Sequence, residues 1–396
     1  MEPVSRGVDV RDEASGQACV AAVESALADG SSLHPWVGND AQGDGTTPVA
    51  ALSAASLVET DAFGLRRIHA AIARAESVDD LRTEVVQLPG LFVAMTHAGV
   101  SAAVTMRVHT GLCDAVVCRL IDFSTERHGP APVQFAWLAF GSCGRSELSL
   151  FSDLDNGLAY DDSDDPSADD WFLRLATEVN EGLQRCGFEL DPHGVLATDP
   201  DWRMPLSGWV SVFSDCLRGW DNDAVMRAAV GFDVRHVAGD LRVVAALEQV
   251  IRQAPQYSRF LMGMAQLGAE ISSPLGFRRR LKGHVDLKEK ALLPVQNLAR
   301  YYACAEGLTG SSTLDRLAAV RDAGGRGSEQ AETLGRAYEA MTGLFTRHQA
   351  EASRAGLPRC GPVDTGRLSA EDRESLQSAL RTVACIQERL PRRAAF

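Results

Sequence analysis

The sequence has no C-x-x-C pair and no histidine–cysteine cluster at zinc-ligand spacing, which argues against a structural zinc site. Its nine cysteines are scattered singly, a pattern of reduced thiols rather than of a disulfide framework. Basic residues are in deficit: 39 Lys and Arg stand against 53 Asp and Glu, for a net charge of -14. A surface that tracks nucleic-acid phosphates needs the opposite balance, so no nucleic-acid partner is expected, although a small local anion site stays open. Long apolar runs are missing too. The longest uncharged stretch, Gln87 to Met106, is interrupted by Pro89, Gly90, His97 and Gly99 and suits a buried helix better than a membrane span. The opening MEPVSRGVDVRDEAS lacks the apolar core of a signal peptide. No internal repeat at a fixed period is visible. What remains is an ordinary globular chain of 396 residues, 45% hydrophobic and 23% charged. It is long enough for two or three domains, and a cytoplasmic location with no membrane partner is expected.

Four segments follow from the patterning. Residues 1–60 form a variable segment, in which ACVAAVESALADG suits a helix stopped by Gly30 and GNDAQGDGTTP a flexible loop. Residues 61–130 are helical: Val100, Val104, Val108, Leu112, Val116 and Leu120 recur every four residues until His128-Gly129-Pro130. Residues 131–245 change character. PVQFAWLAF (132–140) suits a buried strand, Phe172, Leu175, Val179 and Leu183 a helical stripe closed by Gly187, and AVGFDVRHV (229–237) an alternating strand. Residues 250–396 read as a bundle of amphipathic helices. One carries Leu287, Ala291, Val295, Leu298, Tyr302 and Ala305 and ends at Gly307; another carries Leu334, Met341, Leu344 and Phe345. Ser312-x-x-Asp315 and Ser369-x-x-Asp372 have the capping-box spacing that opens two more.

The chemistry concentrates in FAWLAFGSCGRSELSLFSDLDNGLAY, residues 135–160. A strand that ends in Gly141-Ser142 and turns into a helix offers bare backbone N–H groups to an anion, and glycine lets a phosphate approach closely. Ser142 adds a hydroxyl, and Arg145 a guanidinium fork suited to phosphate oxygens. Asp153 and Asp155 fall at i and i+2, on one face of an extended segment. Two carboxylates held together repel unless a divalent cation lies between them, and Mg2+, or Mn2+ in its place, suits such a hard-oxygen set. A triphosphate cradle facing a metal-binding pair is what nucleotidyl transfer needs.

This stretch resembles the signature of the DNA polymerase β-like nucleotidyltransferase superfamily. In particular, it resembles the bacterial nucleotidyltransferases related to the N-terminal domain of protein-PII uridylyltransferase. Their pattern runs approximately G-S-x-G-R-x-E-Q and then D-x-D-N; Gly141, Ser142, Gly144, Arg145, Glu147, Asp153, Asp155 and Asn156 match it, and Leu148 replaces the usual Gln. GFDVRHVAGD resembles the family's D-x-R strand, and DLKEKALLPVQNLARYYACAEGLTGSSTLDRL resembles the opening of its helical substrate-binding domain. The segment CGFELDPHGVLATDPDW keeps the expected cysteine and tryptophan but departs from the family in GVLATDPDW. The likeness spans roughly residues 65 to 390.

The resemblance implies an α+β protein: a polymerase β-like nucleotidyltransferase domain, with a small mixed sheet and helices, flanked by an N-terminal helical region and a C-terminal helical bundle. It also implies a Mg-dependent transfer of UMP or AMP from UTP or ATP to a hydroxyl, with release of pyrophosphate. The acceptor would be a small regulatory protein or a small molecule. Asp153, Asp155 and Asp233 are the expected metal-binding catalytic carboxylates, with Arg235 as a basic partner; Gly141, Ser142, Gly144 and Arg145 are expected at the phosphates. A catalytically inactive, nucleotide-binding regulatory protein is the alternative. Cys143, with no histidine beside it in sequence, reads as a small filler and the acidic run 161–170 as a solvated loop in which Ser167 caps the next helix. Among the cations of the bundle, Arg347 reads as solvent-facing, whereas Lys288, Arg300 and Arg316 are open to either reading, a phosphate contact or a solvent-facing charge.

Overall fold

The computed structural model describes residues 64–165, 167–219, 222–276, 280–281, 283–325 and 327–390; the helix and loop expected within residues 1–60 lie outside them. Among the described residues four helices come first: α1 (Leu65–Arg74), α2 (Val78–Val85), α3 (Leu88–His97) and α4 (Ala102–His128). The four-residue recurrence becomes α4, with Val104, Val108, Leu112, Val116 and Leu120 buried. Ser101 caps it by accepting from the Val104 N–H, and Gly129 ends it.

Strand β1 (Phe135–Ala139) is central to a four-stranded sheet of order β3-β2-β1-β4. It runs antiparallel to β2 (Asn156–Tyr160) and β4 (Arg235–Gly239), while β2 is parallel to β3 (Arg203–Pro205). The elements between complete the domain: a single turn α5 (Gly141–Gly144), α6 (Ser167–Cys186), α7 (Leu206–Arg218) and α8 (Asn222–Gly231), with α9 (Val243–Ile251) after β4. Alternation along β1 gives the sheet two buried faces. Phe135, Trp137 and Ala139 share a core with α1–α4 and α6, whereas Ala136, Leu138 and Phe140 face Trp209, Phe213 and Leu247 on the other side.

The expected strand over 229–237 is shorter than its alternation suggested. Helix α8 runs through Gly231, Phe232 N–H still bonds Ala228 O, and pairing begins only at Arg235. Phe232 and Val234 are buried nonetheless, so their alternation with polar residues marks a turn that packs inward. Ser167 opens α6, but the capping oxygen belongs to Asp165, which accepts from both the backbone N–H and the hydroxyl of Ser167.

Among the described residues the C-terminal part is helical apart from an isolated bridge between Leu275 and Leu281 and a short ribbon, β5 (His284–Val285) with β6 (Val363–Asp364). After α10 (Ser258–Glu270), a π-helical turn (Lys288–Leu292) leads into α11 (Leu293–Glu306), followed by α12 (Thr313–Asp322), α13 (Ser328–Arg354) and α14 (Ala370–Glu388). These helices pack on one another in chain order around one core that includes Leu298, Leu317, Leu334, Met341 and Leu380. The box at Ser312 and Asp315 is fully formed and is worth about 1 kcal/mol to α12. Helix α13 also packs on α3 and α4, so the bundle leans against the N-terminal helices and closes one side of a cleft above the sheet.

Candidate active site

The cleft has a volume of about 410 Å3. Gly141, Ser142, Asp153 and Asp155 line it from the sheet domain; Lys288, Gln296, Arg300, Tyr338 and Phe345 line it from the helical domain.

Asp153 and Asp155 flank Leu154, which forms a parallel bridge with Leu190. That pairing carries Asp191 alongside, and ligand oxygens of Asp153, Asp155 and Asp191 lie within 4.8 Å of one another. Asp191 is held by a tight turn: its Oδ2 accepts the His193 and Val195 N–H groups at 3.1 and 2.8 Å. Asn156 fixes the same junction from beneath. Its amide donates to Leu154 O and Asn180 Oδ1, and its Oδ1 accepts the Ala197 N–H. Three hard oxygen donors so close, with no guanidinium or ammonium within ion-pairing distance of them among the described residues, fit a divalent cation.

Gly141 has φ +54, a conformation L side chains rarely adopt, and a Cβ there would collide with the Asp155 carboxylate. Its bareness therefore makes room for a cluster carboxylate. Gly144 is buried away from the cleft, where a Cβ would press into the backbone of Asp233 and lie 2.9 Å from Ala139 O. Its role is to let α5 approach the turn before β4 and the end of β1. Ser142 lines the cleft and is half-buried.

Asp233 is placed otherwise than expected. Its side chain is fully enclosed, and its oxygens accept from three guanidiniums: Arg145 Nη1, Arg300 Nε and Nη2, and Arg316 Nη1. Burial pushes this carboxyl toward the neutral acid, but Arg300, Arg316 and Arg145 outweigh it and hold it well below the usual carboxylate range. Asp233 does not join the group formed by Asp153, Asp155 and Asp191. Arg145 lines the cleft but is likewise committed, its guanidinium shared between Asp233 and Glu147. Glu147 accepts in addition from Tyr338 OH and from the backbone and hydroxyl of Thr313. The Arg235 fork grips Asp114 of α4 with two bonds and donates to Cys143 O, tying β4 to α4 and α5. Cys143 is buried, and burial raises its thiol well above the ordinary value, so it is an inert filler.

Crowding marks Asp155. Burial first, then the charges of Asp153 and Asp191, push its carboxyl up to about 8, against an opposing pull from Arg145 and Lys288. The unfolded chain ionises this group near 3.8, so between about pH 4 and 8 the folded protein holds a proton that the unfolded one has lost. Folding stability from this group must fall as pH rises through that window. A divalent cation competes with that proton. The thermal midpoint gained on adding Mg2+ should therefore grow from pH 5 to pH 8, and scanning calorimetry in EDTA and in Mg2+ reads this directly. A gain that shrinks with pH would mean that Asp155 does not face the cation.

A small mixed sheet that sets an Asp-x-Asp pair beside a Gly-Ser turn, with a helical domain across the cleft, is a nucleotidyltransferase arrangement. Residues 86–223 match the family model described as "Putative nucleotidyltransferase DUF294", and residues 258–394 match "Putative nucleotidyltransferase substrate binding domain". Together the two models cover most of the chain, which belongs to this nucleotidyltransferase family. Similar curated proteins are named bifunctional glutamine synthetase adenylyltransferase/adenylyl-removing enzyme. That of Burkholderia mallei is 27% identical over 247 residues, covering 56% of this chain and 25% of its own length. That of Mycobacterium bovis is 27% identical over 249 residues, covering 59% and 23%, and that of Nocardia farcinica 25% identical over 281 residues, covering 64% and 25%. The chain thus spans about a quarter of the length of these relatives. Among the described residues no helix is long and apolar enough to cross a membrane.

Asp191 and the arginine cage are the site features that motif spacing did not single out. The signal for Asp191 was present in FELDPHG, where an apolar stretch stops at an aspartate before a Pro and Gly turn, as the Gly141-Ser142 strand also stops at a turn.

Proposed function

We propose that this protein transfers a nucleoside monophosphate from a nucleoside triphosphate to a hydroxyl acceptor, releasing pyrophosphate. AMP from ATP is the first choice, because the curated relatives are named as adenylyltransferases; UMP from UTP, which the uridylyltransferase likeness implied, is the second. The observation that carries the reading is the convergence of Asp153, Asp155 and Asp191 at the cleft beside Gly141-Ser142. Holding three carboxylates together is costly unless a cation is bound, so keeping them favours an active enzyme over an inactive nucleotide binder.

Asp153, Asp155 and Asp191 would hold Mg2+ or Mn2+, which when bound supplies charge neutralisation at the triphosphate and at the attacking and leaving oxygens. Asp191 suits a fixed ligand, since its Oδ2 is already pinned by two backbone N–H groups. Ser142 and the Gly141 backbone stand where the phosphates would enter. The proton of the acceptor hydroxyl would pass to a carboxylate of the cluster. Asp233 cannot take it, because three guanidiniums hold it ionised and enclosed. The cleft wall built by the helical domain would present the acceptor, a small regulatory protein or a small-molecule alcohol.

Incubation with each of the four α-32P-labelled NTPs, Mg2+ and a cell lysate tests this. A labelled protein or small molecule that appears with ATP, or with UTP, and vanishes in EDTA is the expected result. No labelled product with any nucleotide would favour the inactive, nucleotide-binding alternative.

A further inference from the structure

We propose that Lys288, on the helical-domain side of the cleft, binds the β- and γ-phosphates of the nucleoside triphosphate and so joins the two domains through the ligand. The inference rests on the nucleotidyl-transfer reading and adds to it the cation that the Gly-Ser turn lacks. A triphosphate carries more negative charge than one divalent ion offsets, so the cleft must supply a further cation. Among the described residues the cations that line it are Arg145, Lys288 and Arg300. Arg145 is committed to Asp233 and Glu147, and Arg300 to Asp233 and the Asn297 side chain; both are buried. Arg316 is likewise taken by Asp233 and Phe232 O, and Arg347 pairs with Asp372 at the surface.

Lys288 differs from all of these. Its side chain is exposed within the cleft, and among the described residues no carboxylate, neighbouring Glu289 included, lies within ion-pairing distance of it. Its base is well anchored. Lys288 opens the π-helical turn, with Leu287, Ala291 and Leu292 buried around it, and the Asp286 carboxylate accepts the Glu289 N–H at 2.9 Å. Lys288 lines the same cleft as Gly141, Ser142, Asp153 and Asp155, facing from the helical domain the place where phosphates would meet the carboxylates. A flexible stem carrying a compact point charge is suited to phosphate oxygens that shift during reaction.

Titration calorimetry with Mg2+–ATP, Mg2+–UTP and the corresponding nucleosides tests the inference on the full chain. Lys288→Met should weaken binding of the preferred triphosphate roughly ten- to a hundredfold and leave the nucleoside unchanged, while Lys288→Arg restores most of the loss. Because Lys288 is exposed, the thermal midpoint of Lys288→Met should match the wild type, which separates lost contact from lost fold. Wild-type and Lys288→Met proteins that bind the triphosphate equally would overturn the assignment of Lys288 and leave nucleotidyl transfer standing. Equal loss of triphosphate and nucleoside would overturn it as well, by showing a general packing role. A wild type that binds neither triphosphate would sink the nucleotidyl-transfer reading, and this inference with it.

Discussion

Asp155→Asn should abolish nucleotide turnover, by roughly a thousandfold, while leaving the metal-free protein at least as stable as the wild type. The two halves of this expectation have one cause. Asp155 is crowded by burial and by Asp153 and Asp191, and its carboxyl rises to about 8. At neutral pH and without metal it therefore carries a proton, and asparagine mimics that neutral form in shape. Stability has nothing to lose: relative to the wild type the variant should gain progressively between about pH 4 and 8, where folding makes the wild type hold a proton that its unfolded chain has lost, and the gain should level off above pH 8. Turnover is a different matter. If the bound cation contributes about 4 kcal/mol of transition-state stabilisation, removing one of its ligands should cost close to that thousandfold. Calorimetry in EDTA together with a pyrophosphate-release assay in Mg2+ reads both halves. Unchanged turnover would exclude Asp155 from the chemistry; a large loss of stability would mean that its carboxylate serves the fold.

Much of this arrangement was legible in the sequence because it is local. Val104 to Leu120 announce α4 by spacing alone, and Ser312 and Asp315 form the cap their separation implies. Asp153 and Asp155 share a face as i and i+2 must, and the stop at Gly141-Ser142 marks the turn at the end of β1. What was not legible depends on contacts between distant residues. Asp191 reaches the cluster only because Leu154 bridges Leu190, and no periodicity encodes that register. Arg300 and Arg316 read as phosphate contacts or as solvent-facing charges, whereas the fold buries both against one carboxylate 67 and 83 residues away. The D-x-R pattern identified the right pair of residues, but the position of their partners decides what each can do. Asp233 is enclosed by arginines and Arg235 by Asp114. Even the local reading had a limit at 229–237, where a short apolar alternation served equally for a helix end and a strand.

Asp233→Asn is expected to unfold the interface between the sheet domain and the bundle at far lower denaturant than the wild type requires. The carboxylate is the shared counter-charge of Arg145 from the sheet domain and of Arg300 and Arg316 from the helical domain. All three guanidiniums are themselves buried, with side-chain exposures of 8%, 3% and 5%. Without the Asp233 charge, Glu147 is, among the described residues, the one anion left paired to this group, and it bonds only Arg145 of the three. Breaking a buried pair by removing one partner costs about 3–5 kcal/mol, since the charges left behind can be neither solvated nor neutralised, and arginine does not give up its proton. The fully enclosed site sets the loss toward the upper end of that range. Metal binding should survive, because the cation ligands proposed here are Asp153, Asp155 and Asp191. Urea melts of wild type and variant, combined with Mn2+ titration under conditions where both are folded, separate the two roles. A variant as stable as the wild type that no longer binds Mn2+ would move Asp233 from the domain junction to the metal site.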